Sequence, residues 1–248
     1  MTMTKNVRLS LRAPAALAAV ATSLALALAG DPAAAQGKAK ESKGKIVLIG
    51  SSSMNDAFGI LMADSLEKSG YSVDRKGYPA AGLSRPDFRD MMKVLPQVPV
   101  NKSTDAVLVY IGGNDAQALY LRNDERPPKS DGWVRWEDDR WDEVYTERVQ
   151  TFVEGLCKKG AKKVIVLPPV DVVGDKMHQK LERVRQAQMK GANATSCGAA
   201  VPTSGDRGKF TVDGESMRAK DGIHMSPAGA ARVWQRVEPK IKKLIGEQ

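Results

Sequence analysis

Three short, unbroken apolar runs, each ended by glycine or proline, constrain this chain more than any other feature. They are Lys45-Ile46-Val47-Leu48-Ile49-Gly50, then Ala106-Val107-Leu108-Val109-Tyr110-Ile111 before Gly112-Gly113, and Val164-Ile165-Val166-Leu167 before Pro168-Pro169. A strand with one wet face alternates polar and apolar residues, whereas a continuous run belongs to a strand covered on both faces, as in a parallel sheet between helices. Helical periodicity fills the intervals. Phe58, Leu61, Met62 and Leu66 recur within residues 53–69, and Gly70 supplies a stop. Residues 138–156 put Trp141, Tyr145, Val149, Phe152 and Leu156 on one stripe, and residues 175–190 read as a further helix. Ser226-Pro227 offers an N-cap and a first-turn proline for a final helix, which Pro239 is expected to kink or interrupt. Residues 71–75 and 209–213 read as short strands, residues 78–84 as a Gly- and Ala-rich loop, and residues 86–95 as a short helix or turn. The alternation predicts a three-layer α/β/α sandwich around a mostly parallel sheet, without internal repeats.

The N-terminal segment does not belong to that pattern. Lys5, Arg8 and Arg12 precede an 18-residue Ala/Leu/Val run over residues 13–30, and Ala33-Ala34-Ala35 offers the small side chains that signal peptidase accepts. Residues 1–35 therefore read as a secretory signal peptide cleaved near Ala35-Gln36, followed by a polar linker over residues 36–44 and one domain over residues 45–248. An uncleaved single-pass anchor is the other reading of the same run. Cleavage leaves 213 of the 248 residues and lowers the net charge from +9 to +7, enough chain for one domain with a substantial core. The surplus lysines lie in scattered runs such as Lys158-Lys159 and Lys162-Lys163, without the clustered Arg and aromatic residues of a nucleic-acid surface. Peripheral attraction to an anionic cell envelope is the plainer meaning, in the periplasm or outside the cell. With 42% hydrophobic and 27% charged residues, collagen-like, mucin-like and multi-span membrane classes are excluded.

Export changes the meaning of the two cysteines. An oxidising compartment lets Cys157 and Cys197 bridge, tying the end of one helix to a loop before the last strand; a free core pair is the alternative. Two cysteines and two histidines without close spacing make no zinc cluster, and nothing demands a metal or organic cofactor. The region of about residues 120–140 breaks the regular alternation. Trp133, Trp136 and Trp141 alternate there with charges, either as a lid or sugar-stacking surface or as rings that pin an insertion onto the domain.

In open α/β sheets the reactive groups collect at the carboxyl ends of strands. Those ends read Gly50-Ser51-Ser52-Ser53-Met54-Asn55-Asp56 and Gly112-Gly113-Asn114-Asp115, with Gly82-Leu83-Ser84 and Asp221-Gly222-Ile223-His224 in loops. In chain order the four blocks resemble the SGNH/GDSL hydrolase superfamily, and within it the exported, bacterial DUF459-type branch. The resemblance covers most of the mature chain and implies an SGNH-hydrolase, flavodoxin-like fold. It implies Ser52 as nucleophile, His224 as its base and Asp221 as the supporting acid, with an oxyanion hole from the Ser52 and Gly82 N–H groups and the Asn114 amide. Ser51 stands where the superfamily usually has aspartate, and the consecutive serines leave Ser53 as an alternative nucleophile.

These residue types suit acyl transfer. Serine needs an imidazole to take its proton, and the imidazole needs a carboxylate to hold its tautomer; a three-residue spacing lets Asp221 curl back to His224. Gly82 is expected to leave room for the acyl group, Asp115 to hold loops by accepting backbone hydrogen bonds, and Asp56 to favour a helix dipole. His178, the other histidine, reads as a surface or packing residue. The expected activity is serine-dependent cleavage of an O-acyl ester, most simply O-acetyl, on an envelope glycan or small ester, by a protein able to stand as a monomer. A periplasmic O-acyltransferase using the same residues, and a silent polysaccharide-binding protein, are the alternatives.

Overall fold

The computed structural model describes residues 42–207 and 209–247, so the expected leader and residues 36–41 of the expected linker lie outside the described residues. The chain enters through β1 (Lys45–Gly50), α1 (Ala57–Lys68), β2 (Ser72–Gly77), α2 (Met91–Val94) and β3 (Thr104–Tyr110). Two short strands, β4 (Leu119–Tyr120) and β5 (Trp133–Val134), precede α3 (Arg140–Lys158), β6 (Lys163–Val166), α4 (Asp175–Asn193) and β7 (Gly198–Ala200). The strands β8 (Thr211–Val212) and β9 (Glu215–Ser216) then lead to α5 (Pro227–Leu244). The main sheet is parallel throughout, in the order β2-β1-β3-β6-β7. The strand order reverses between β1 and β3, which opens a crevice at their carboxyl ends.

The continuous apolar runs are explained by the two faces. Ile46, Leu48, Ala106, Leu108 and Ile165 pack under Phe58, Met62 and Leu66 of α1 and Val233, Val237 and Ile241 of α5. Their neighbours Val47, Ile49, Val107, Val109, Val164 and Val166 join Trp141, Tyr145, Phe152 and Leu156 of α3 and Leu181 and Val184 of α4. Successive side chains of a strand point to opposite faces, so helices on both sides require apolar residues at every position. This is the three-layer α/β/α arrangement.

Several boundaries differ from the sequence expectation. The first helix does not begin at residue 53: Ser52–Met54 form a 3-10 turn, and α1 starts only after Asp56, whose ψ of −171° is extended. Ser, Asn and Asp compete locally for backbone hydrogen bonds and so favour turns and caps over helix interiors. The expected strand near residues 209–213 pairs with β9 in a separate hairpin. The fifth strand of the sheet is β7, a Gly-Ala-Ala segment that carries no β-propensity signal. Ser226 caps α5 by accepting the Gly229 N–H at 3.1 Å, and the helix runs through Pro239 without interruption. Around residues 120–140, β4 pairs antiparallel with β5, so the expected long loop has a small ribbon of its own.

Candidate active site

Ser52 stands directly after β1. The Ser51 N–H donates to the Tyr110 carbonyl at 3.1 Å, and the Met54 and Asn55 N–H groups donate to the carbonyls of Ser51 and Ser52, which closes the turn. Ser52 Oγ lies 3.3 Å from His224 Nε2. Ser53 faces the same cleft, but no hydrogen bond joins it to the imidazole among the described residues. Ser51 is buried and also contributes to the cleft lining.

His224 and Asp221 are set by one tight loop. Arg218 bridges to Met225 across its base, the Ala219 N–H donates to the His224 carbonyl at 2.8 Å, and Gly222 turns the chain at φ +70°. Asp221 Oδ1 accepts the N–H groups of Ile223 and His224, each at 2.9 Å, and Oδ2 lies 2.6 Å from His224 Nδ1. The bond to His224, reinforced by the two backbone donors, holds the Asp221 carboxyl down at about 2. With its Nδ1–H directed to this ionised acid, the ring presents Nε2 as an acceptor for the Ser52 hydroxyl. A second carboxylate is close: Asp56 Oδ2 lies 3.9 Å from His224 Nε2. Asp56 occupies the N-cap of α1, the end at which a carboxylate favours the helix dipole, and its side chain makes no capping bond.

The Ser52–His224 pair opens into a cleft of about 430 Å³. Asn114 lines it from beyond β3, where Gly112 turns at φ +113° and a Cβ would come within 2.5 Å of Gln188 Nε2. Asn114 Nδ2 donates to the Ala81 carbonyl at 3.0 Å, which ties the Gly82 segment to the cleft and leaves a second amide hydrogen. Gly82 itself lines an adjoining hollow of about 150 Å³ that shares Asn114. Its need for glycine has a different origin from the expected one: a Cβ would meet Asp115 Oδ1 at 2.2 Å. Asp115, wholly buried, accepts the Ser84 N–H at 2.8 Å and the Tyr145 hydroxyl at 2.6 Å. Gln188 Nε2 in turn donates to Tyr145 Oη at 3.0 Å and to the Ile111 carbonyl at 3.2 Å.

The tryptophans lie elsewhere. Trp141 is fully buried, stacks on Tyr145 with ring centres 4.8 Å apart and donates its indole N–H to the Gln117 carbonyl. Trp136 packs edge-on against it, and the Arg183 guanidinium lies about 5 Å from both rings. Trp133 meets Tyr120 and Arg85. None of the three lines the cleft; Trp136 and Trp141 pin the insertion to the helical layer, and Trp133 packs within the insertion. Buried Arg148 completes this anchor, donating to the Leu83 and Tyr120 carbonyls at 2.7 Å each and pairing with Glu125. Cys157 and Cys197 form a disulfide with Cα atoms 6.2 Å apart, joining the end of α3 to the residue before β7. His178 is buried on α4 with Nδ1 3.5 Å from Asp171, far in the chain from the Ser52 pair.

Comparison with known proteins fits this arrangement. Residues 45–240 match the family described as "Protein of unknown function (DUF459)". The chain belongs to that family. No curated protein matches this DUF459 chain. Among solved structures it is similar to an acetyl xylan esterase from Geobacillus stearothermophilus, at 19% identity and TM-score 0.53 over 84% of this chain and 96% of that one. A carbohydrate esterase family 3 protein from Talaromyces cellulolyticus gives 16% identity, TM-score 0.54, and coverage of 82% and 98%. A lipolytic protein of the G-D-S-L family from Veillonella parvula gives 11%, 0.54, 79% and 96%. At these identities the shared property is the fold, which this chain has in common with these esterases and the G-D-S-L family protein.

Sequence reasoning missed two parts of the DUF459 site. Asp56 was readable only as a helix-start residue, because its approach to His224 joins segments far apart in the chain. The apolar lining from Val172, Met177, Leu181 and Ile223 was also missed. Ile223 carried the one local signal, a large apolar side chain in an otherwise polar loop beside the histidine.

Proposed function

We propose that the protein is a serine-dependent ester hydrolase working through an acyl-Ser52 intermediate. The observation that carries this reading is the continuous path from Ser52 Oγ through the His224 ring to the Asp221 carboxylate, at 3.3 and 2.6 Å, opening onto a cleft. His224 Nε2 takes the Ser52 proton as Oγ bonds to the ester carbonyl carbon, then returns it to the departing alcohol oxygen. Water repeats the sequence on the acyl-serine and releases the carboxylic acid. The Ser52 and Gly82 N–H groups and the remaining Asn114 amide hydrogen are the proposed donors to the oxyanion. Asp221, ionised and anchored by two backbone N–H groups, supports the imidazolium that forms between the two proton transfers.

The proposed setting is outside the cytoplasm, supported by the signal-like N-terminal residues and by the disulfide, which persists in an oxidising compartment. An acylated envelope glycan or a small ester is the proposed substrate; the esterases of the same fold, named for acetylated carbohydrates, lend support by analogy. Mass spectrometry after fluorophosphonate labelling tests the nucleophile. The adduct is expected on Ser52 and is expected to vanish in Ser52→Ala and His224→Ala, while Ser53→Ala still labels. Hydrolysis of p-nitrophenyl acetate is expected to drop about 10⁴-fold in the same two variants. An adduct on Ser53, or wild-type hydrolysis no faster than buffer, overturns the reading.

A further inference from the structure

We infer that the cleft beside Ser52 takes an apolar acyl chain well beyond acetate in length, an inference that rests on the acyl-Ser52 reading and names its substrate class. The cleft measures about 430 Å³, and Ile111, Ala116, Val170, Val172 and Leu181 form much of its wall. An acetyl group has three non-hydrogen atoms. At about 30 Å³ each, the share of a liquid water, it occupies roughly 90 Å³ and leaves most of this wall against solvent. A second hollow of about 390 Å³ continues the cleft outward, sharing Val172, Met177 and Ile223 with it.

The exposed apolar residues point the same way. Ile60, Phe88, Val173, Met177 and Ile223 are the large hydrophobic side chains left exposed among the described residues. Three of these five, Val173, Met177 and Ile223, line that outer hollow. Apolar surface gathered at the mouth of a pocket marks a binding site rather than ordinary surface scatter. Its continuity with Ser52 identifies the occupant as part of the ester.

The polar groups separate acyl from alcohol. His224 Nε2 delivers the proton to the leaving oxygen, and the Asp56 carboxylate stands 3.9 Å from that nitrogen. Neither Asp56 nor Asp221 lines the cleft beside Ser52, and Asp221 and Lys220 enter only at the outer hollow, where they share the lining with Val172, Val173 and Met177. The departing alcohol thus leaves past the half-exposed Asp56 carboxylate, a path suited to a hydroxylated group, and the apolar wall is left for the acyl chain. The inferred acyl group is longer than the acetyl group expected from sequence.

A series of p-nitrophenyl esters from acetate through butanoate and hexanoate to octanoate keeps the leaving group constant. The value of kcat/KM is expected to rise about threefold per methylene until the cleft is filled. Met177→Trp, which narrows the mouth, and Met177→Asp, which charges it, are each expected to lower the octanoate-to-acetate ratio about tenfold. In a second arm, calorimetry on the Ser52→Ala protein is expected to show octanoate binding at least about tenfold tighter than acetate. A preference for acetate with Ser52-dependent hydrolysis overturns the acyl inference and keeps the hydrolase. Tight octanoate binding without hydrolysis of any ester keeps the acyl site and overturns the hydrolase. If octanoate also binds no better than acetate, both fall. Rates that rise with alcohol length in acetate esters, and not with acyl length, move the apolar group to the alcohol and overturn the inference.

Discussion

Asp115 and Asp221 use their oxygens in nearly the same way, yet they sit in opposite surroundings. Asp115 takes a backbone N–H on one oxygen and the Tyr145 hydroxyl on the other, from partners 31 and 30 residues away, and is wholly buried. Asp221 takes two backbone N–H groups and the His224 ring, all from residues two or three positions away, with its side chain 47% exposed. The buried acid joins distant segments, so its loss disturbs the walls of the cleft. The exposed acid governs one imidazole, and its loss disturbs proton transfer. Reacting parts thus come from a short local turn, while the frame that positions the Gly82 and Asn114 loops is remote and dry.

Substitution at the two acids tests this contrast most strongly. Asp221→Asn is expected to lower kcat/KM roughly 10³- to 10⁴-fold through the wrong ring tautomer, with only a modest drop in melting temperature from the lost carboxylate charge. A large loss of melting temperature without loss of rate would reverse the assigned roles. Arg148→Ala empties the other buried hub and is expected to cost about 3–5 kcal/mol in urea unfolding, since two backbone carbonyls lose their donor and Glu125 is left with Arg122 alone. Asp115→Asn sets an amide donor against the Ser84 N–H or the Tyr145 hydroxyl and is expected to cost about 3 kcal/mol in the same measurement.

Acid titration gives a gentler test. The Asp221 carboxyl is lowered from an ordinary 3.8 to about 2, so its contribution to stability is complete above about pH 4 and is lost as pH falls through 2. Above about pH 4 its charge is constant, and log kcat/KM is expected to fall toward acid with a slope of one. A slope of two would mean that the Asp221 carboxyl also takes up its proton in that range. Trp133→Ala is expected to have the smallest effect, within about twofold on p-nitrophenyl butanoate hydrolysis, because Trp133 packs on Tyr120 outside the cleft.

The same division governs what the sequence reveals. The strands β1, β3 and β6 are legible because helices on both faces demand an apolar residue at every position. The strand β7 is hidden, since Gly198, Ala199 and Ala200 have no β preference and are held by pairing with β6. Asp221 and His224 are legible from a three-residue spacing, and Ser52 from its place after the first strand. Arg148 reads as a solvent-facing charge on α3 until the Leu83 and Tyr120 carbonyls are seen to surround it. Trp141 reads equally well as lid or anchor, because a ring beside charges looks alike in both; burial against Tyr145 makes it an anchor. Cleft walls drawn from four separate segments leave no periodic trace.

The two borders of the main sheet close in different ways. At one, β2 carries Asp74, Arg75 and Lys76 in succession, and charges on an exposed edge discourage pairing with a foreign strand. At the other, β7 is only three residues long and begins immediately after Cys197, which is tied to the end of α3. The first border stays guarded whatever the redox state, whereas the second loses its covalent tether on reduction and keeps its pairing with β6 and the Asn193 bond to the Ala200 N–H. In a reducing environment any strand-to-strand association would therefore begin at β7, giving the molecule a polarity in how it aggregates that its catalytic face does not reveal.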